Sequence, residues 1–206
     1  MTKQNSTLIT LVLDRSGSMK SCLDGTIEGF NSFIDSHKKS QSEMNDDVKV
    51  SLIQFDNKYE LNYNMLPIQN VPYLNKETFV PRGMTALHDA IGKTINDVGE
   101  KLSSMRESER PSKVLVVIMT DGGENASKEF DGKIIKKMIE HQEKTYSWEF
   151  VYVGANQDAI AVGSSIGVKS ANSMNYHSTD LGATRGYSKM ADMSVRYKTT
   201  GFVDLN

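Results

Sequence analysis

Asp14, Ser16 and Ser18 stand at alternate positions in LITLVLDRSGSM, residues 8–19. One carboxylate and two hydroxyls so spaced form a cluster of hard oxygen donors, the ligand type that Mg²⁺ or Mn²⁺ prefers. The first chemistry to consider is therefore a divalent metal site. Two more polar turns carry oxygen donors of the same kind, Thr85 in GMTAL (residues 83–87) and Asp121 in TDGGEN (residues 120–125). Taken singly, each could be an ordinary turn, because Ser, Thr, Asp and Gly all favour such positions. What matters is whether the fold brings them together.

The apolar run 8–13 leads straight into the Ser/Gly turn, as expected of a strand buried on both faces in a parallel sheet. Cys22, Leu23, Ile27, Phe30 and Ile34 then recur at helical spacing until His37-Lys38-Lys39. Residues 48–55 read as a second strand and 59–63 as a short antiparallel edge strand, followed by irregular connection around Pro67, Pro72 and Pro81. Thr85 is placed as the N-cap of a helix whose apolar face carries Leu87, Ile91, Val98 and Leu102. Residues 106–112 read as a loop, 114–119 (VLVVIM) as a second fully apolar strand, and 134–139 as part of a helix. Residues 148–153 then form a strand, 159–166 a short helix stopped by Gly167, and 168–174 a weak strand. A polar final helix falls between residues 179 and 197, where core packing is the expected role for Tyr187, Met190, Met193 and Tyr197.

This alternation predicts a doubly wound α/β fold, a Rossmann-like, mostly parallel sheet with helices on both faces. Right-handed crossovers put the carboxyl ends of the parallel strands on one edge. The three polar turns then share one rim, at the crevice where open α/β sheets bind ligands.

Asp14, Ser16 and Ser18 from one strand end, Thr85 from a helix start and Asp121 from another strand end make a set in fixed order. It resembles the metal-ion-dependent adhesion site (MIDAS) of the von Willebrand factor A domain family, whose pattern is Asp-x-Ser-x-Ser, a Thr in a Gly-rich turn, and an Asp in a Thr-Asp-Gly turn. The resemblance covers residues 8 to about 168 and implies that fold. It further implies that Ser16, Ser18 and Thr85 supply hydroxyl ligands, while Asp14 and Asp121 bind the metal directly or through water. Met84 stands where many members have a second Gly, and the region after Val168 carries no matching motif. Stand-alone domains of this kind resemble the bacterial or phage members.

At 206 residues the chain fits a single domain, 1–206, with its core in 6–168. A formal net charge of -2 gives no electrostatic reason to expect nucleic acid or an anionic membrane as partner. No apolar run approaches a bilayer span, and MTKQNST lacks the apolar stretch of a signal peptide, so a cytoplasmic protein is expected. Cys22, the one cysteine, has no disulfide partner and is expected to pack as a small hydrophobe. The sequence has no G-x-G-x-x-G and no Walker loop. Gly163-Ser164-Ser165-Ile166-Gly167 fits a nucleophile elbow in letters, yet it ends a helix where an elbow joins a strand to one. Asn5-Ser6-Thr7 and Asn125-Ala126-Ser127 fit the glycosylation pattern by chance, and Asn125 is expected to brace its loop. His37, His88, His141 and His177 lie on separate elements, where solvated or capping roles are expected, with His88 near enough to reach the rim.

The leading expectation is a non-catalytic, metal-dependent protein-binding module whose partner presents an Asp or Glu carboxylate to the metal. The three rim motifs contain no His, Lys or Cys to act as base or nucleophile. Two other readings compete with it. One is a Mg²⁺-dependent phosphoester hydrolase using Asp14, for which only Arg15, Lys20 and Arg82 offer transition-state cations. The other is a scaffold with a vestigial site.

Overall fold

The computed structural model describes residues 1–44, 46–203 and 205. Among the described residues six strands form one sheet in the order β3-β2-β1-β4-β5-β6. They are β1 (Lys3–Asp14), β2 (Asp47–Phe55), β3 (Tyr59–Pro67), β4 (Pro111–Thr120), β5 (Glu149–Ala155) and β6 (Ser173–Tyr176). All neighbours pair in parallel except β2 with β3, which forms the antiparallel edge. The α-helices that connect or follow them are α1 (Leu23–Met44), α2 (Leu87–Ser104), α3 (Gly132–Tyr146), α4 (Ala159–Ser165) and α5 (Asp180–Thr200).

The two-residue period of β1 divides the core. Ile9, Leu11 and Leu13 face α1 and α5, where they pack with Phe30, Phe33, Tyr187 and Met190. Leu8 and Val12 face the opposite layer, with Ile91 of α2, Ile135 of α3 and Ala159 of α4. From Ser6 to Asp14 every residue of β1 is buried, which is why its sequence lacks a polar face. The final helix packs closely on α1. At Gly25 an added Cβ would lie only 2.0 Å from the carbonyl oxygen of Asp180, so a side chain there would force the two elements apart. Tyr187, Met190, Met193 and Tyr197 are core residues, as the sequence predicts.

Several boundaries differ from the sequence reading. β3 runs on to Pro67 and tolerates the proline because the residue closes an edge strand. β6 lies a few residues later than expected, at Ser173–Tyr176, because Asn172 instead turns back to donate to Phe150 O and Glu149. His37 is neither solvated nor a cap. It is fully buried inside α1, with Nε2 2.7 Å from Ser194 Oγ. Burial, together with the charge of Lys198, pulls its pKa down to about 3. Thr85 is not the N-cap of α2 either. Ala86 occupies that position and makes no side-chain cap bond, which leaves the Thr85 hydroxyl for the rim.

Candidate metal centre

Strand order reverses between β1 and β4, and such a switch point opens the ligand crevice of a doubly wound sheet. Asp14 is the last residue of β1, Asp121 follows the last residue of β4, and Thr85 precedes α2. All five residues singled out by sequence meet here. Asp14, Ser16, Thr85 and Asp121 are buried, while Ser18 is exposed and borders solvent.

Asp14 is held on both oxygens. Its Oδ1 accepts the Ser16 N–H at 2.6 Å, and its Oδ2 accepts the Thr120 hydroxyl at 2.6 Å. These bonds favour the carboxylate, yet burial outweighs them, and the nearby charge of Asp121 adds to it, so the Asp14 pKa rises to about 6. The hydroxyls form a chain. Ser16 Oγ lies 3.0 Å from Ser18 Oγ, and Ser18 Oγ donates to Asp121 Oδ1 at 2.5 Å. The other Asp121 oxygen accepts from Ser178 Oγ at 3.1 Å. A Cβ added at Gly122 would lie 3.4 Å from Thr85 Oγ1 and 3.5 Å from Ser18 Oγ, so these two hydroxyls converge on the turn that carries Asp121.

Thr85 is clamped from two sides. Asn125 Oδ1 accepts its N–H at 2.9 Å and the Asn125 N–H donates to its carbonyl at 3.0 Å, the bracing role expected of Asn125. Next to it, Gly83 takes a positive φ of 70°, which glycine adopts without strain, and its carbonyl accepts the Gly17 N–H at 3.2 Å. The base of this loop is fixed by charge. Asp56 Oδ2 accepts from Arg15 Nε at 3.2 Å and from Arg82 Nε at 2.9 Å, and both guanidinium groups also pair with Glu60. The backbone N–H of His88 donates to Glu124 Oε2 at 2.9 Å, and its ring Nδ1 lies 3.8 Å from the same oxygen.

Four contributors escaped the sequence reading as site residues: Thr120, Asn156, Gln157 and Ser178. Asn156 Nδ2 donates to Asp121 O at 3.1 Å, and Gln157 Nε2 lies 3.4 Å from Gly122 O. This pair follows β5 directly, so the rule that found the other rim turns, polar residues after an apolar strand, also points to it. Ser178 offered no such signal, because it sits in the stretch without a motif.

Among the described residues no three His, Cys, Asp or Glu side chains cluster to hold a metal ion. The rim offers two carboxylates, so a cation there needs the hydroxyls and water to fill its coordination shell, a donor set that suits Mg²⁺ or Mn²⁺.

The sequence profile of the von Willebrand factor type A domain matches residues 9–189. The chain belongs to this family. Domains of the family commonly serve as adhesion or interaction modules that bind protein partners and are usually non-catalytic. No curated protein sequence matches the chain significantly. Among solved structures, the von Willebrand factor domain of the type V pili tip protein Mfa5 from Porphyromonas gingivalis superimposes with a TM-score of 0.63 at 10% identity, over 96% of this chain and 97% of that one. The PilB minor pilin from Streptococcus sanguinis gives 0.61 at 14% identity, over 94% and 62%. Proximal thread matrix protein 1 from the mussel byssus gives 0.60 at 13% identity, over 93% and 47%, and one structure of that protein has a zinc-occupied MIDAS motif. At these identities the likeness is one of fold, and the chain spans less than two thirds of the length of the last two proteins.

Proposed function

We propose that this von Willebrand factor A domain, residues 1–206 read as one unit, is a non-catalytic protein-binding module that works through a divalent metal. The supporting observation is the convergence of Asp14, Ser16, Ser18, Thr85 and Asp121, from three separate segments, on one rim at the strand switch point. Asp14 and Asp121 would balance the charge of Mg²⁺ or Mn²⁺, and the three hydroxyls would add donors without further charge. When bound, the cation supplies an electrophilic position for a carboxylate oxygen from an Asp or Glu of the partner. Zinc occupies the MIDAS motif in one structure of proximal thread matrix protein 1, and the all-oxygen set here favours the harder Mg²⁺ or Mn²⁺.

The hydrolase reading loses two of its three cations. Arg15 and Arg82 are committed to Asp56 and Glu60, which leaves only Lys20 to meet charge on a phosphoryl group. Ser165 is likewise engaged, its hydroxyl donating to Val162 O at 2.7 Å. Among the described residues no helix is long and apolar enough to cross a membrane, and Cys22 is a buried free thiol.

Thermal melts test the metal directly. Wild type should gain stability in Mg²⁺ or Mn²⁺ and lose it in EDTA, while a folded Ser16→Ala/Ser18→Ala variant melts at the same temperature in all three. Identical melts of the wild type with metal and with EDTA would favour the vestigial site.

A further inference from the structure

A groove of about 640 Å³ opens beside the rim, and Gly83, Met84, Ala86 and Asn125 of the Thr85 clamp form one of its walls. Its charges are unevenly satisfied. Asp89 accepts the backbone N–H groups of Lys128, Glu129 and Phe130, and Lys93 pairs with Glu129 at 2.7 Å. Lys58 and Lys128, both exposed and both lining the groove, have no acidic partner among the described residues. Met84, 53% exposed, stands on the boundary between groove and rim. Two cations without partners therefore lie next to a site suited to a carboxylate, with an apolar side chain between.

The geometry points to this groove as a second acidic subsite: the partner segment that presents one carboxylate to the rim carries another acidic side chain, received by Lys58 and Lys128, while Met84 packs against the intervening chain. This rests on the metal-rim reading. Exposed ion pairs each contribute little, so the gain expected from the subsite is roughly three- to tenfold in affinity.

Fluorescence anisotropy with two labelled peptides separates groove from rim. One peptide is octaglutamate; the other carries a single Glu flanked by glycines. In Mn²⁺, wild type should bind octaglutamate roughly three- to tenfold more tightly than the single-Glu peptide, and EDTA should abolish both. Lys58→Ala/Lys128→Ala should erase the octaglutamate advantage and leave the single-Glu peptide unaffected. Lys101→Ala, at the far end of α2, should change neither. If the advantage survives in the double variant, or Lys101→Ala erases it equally, the subsite is refuted and the metal rim stands. If octaglutamate still binds in EDTA and in Ser16→Ala/Ser18→Ala, yet weakens with the lysine variants, the groove holds acid without metal and its role as a second subsite to the rim is refuted; the rim reading falls as well if the single-Glu peptide also binds equally in EDTA. No binding of octaglutamate in Mn²⁺ rejects both.

Discussion

Asp14 and Arg15 are consecutive residues that enter two opposite electrostatic environments. Arg15 joins Asp56, Arg82 and Glu60, where two carboxylates meet two guanidinium groups. Asp14 joins Asp121, where two carboxylates meet only hydroxyls and backbone N–H groups. The titration of one acid from each cluster reflects the difference. Hydrogen bonding and charge from Arg15 hold Glu60 below the ordinary range, whereas burial lifts Asp14 to about 6. The first cluster is complete in itself and serves as a girder for the Thr85 loop. The second is short of positive charge, the imbalance that the proposed metal centre would correct.

The comparison breaks most visibly at Arg15. Its side chain is 7% exposed and that of Asp56 1%, so Arg15→Ala leaves a buried carboxylate with only half of its pairing and should cost about 3 kcal/mol in urea unfolding. The opposite sign is expected one residue earlier. In EDTA at neutral pH, Asp14→Asn removes an unpaired buried charge and should raise stability by about 1 kcal/mol, while abolishing any stabilisation by Mn²⁺. An Asp14→Asn variant less stable than wild type in EDTA would place its missing counter-charge elsewhere in the protein.

The pH dependence sharpens the same contrast. For Asp14 the folded pKa of about 6 exceeds the ordinary 3.8, so the metal-free protein carries the cost of its charge above about pH 6 and sheds that cost as pH falls toward 4. Stabilisation by Mn²⁺ needs the carboxylate and should therefore fade below about pH 6. His37 acts in the reverse sense, because a pKa lowered from 6.5 to about 3 makes stability fall as pH drops through that interval. The difference between melts in Mn²⁺ and in EDTA removes the His37 contribution, which is present in both. The smallest effect is expected at Ser178→Ala, which deletes the bond to Asp121 Oδ2 together with the 2.8 Å contact to Ser21 Oγ and should weaken Mn²⁺ binding a few-fold, by about 1 kcal/mol or less, in calorimetry.

The five candidate donors and the sheet beneath them were legible because local pattern encodes both. An apolar run announces a buried strand, and the polar residue that ends it must lie on the rim. The bracing shell was less legible. Arg15 sits inside the motif, yet nothing in sequence says that Asp56 and Glu60, some forty residues on, will absorb its charge. Thr85 looks like a cap because Thr before an apolar helix usually is one, but two hydrogen bonds with Asn125 hold its backbone and Ala86 takes the cap position, which leaves its hydroxyl free of the helix. His37 looked solvated because its neighbours are lysines, whereas the burial that matters comes from α5, more than 150 residues away in sequence. Side chains answer to tertiary neighbours, which a periodic pattern does not name.

The most direct test is electron paramagnetic resonance of Mn²⁺ titrated with the protein, which follows the signal of the free ion. If the carboxylates and hydroxyls of the rim form a metal centre, wild type should remove that signal one ion per chain, and folded Asp14→Asn and Ser16→Ala/Ser18→Ala variants should leave it intact. Variants that take up Mn²⁺ as well as wild type, or a wild type that takes up none, would contradict the account.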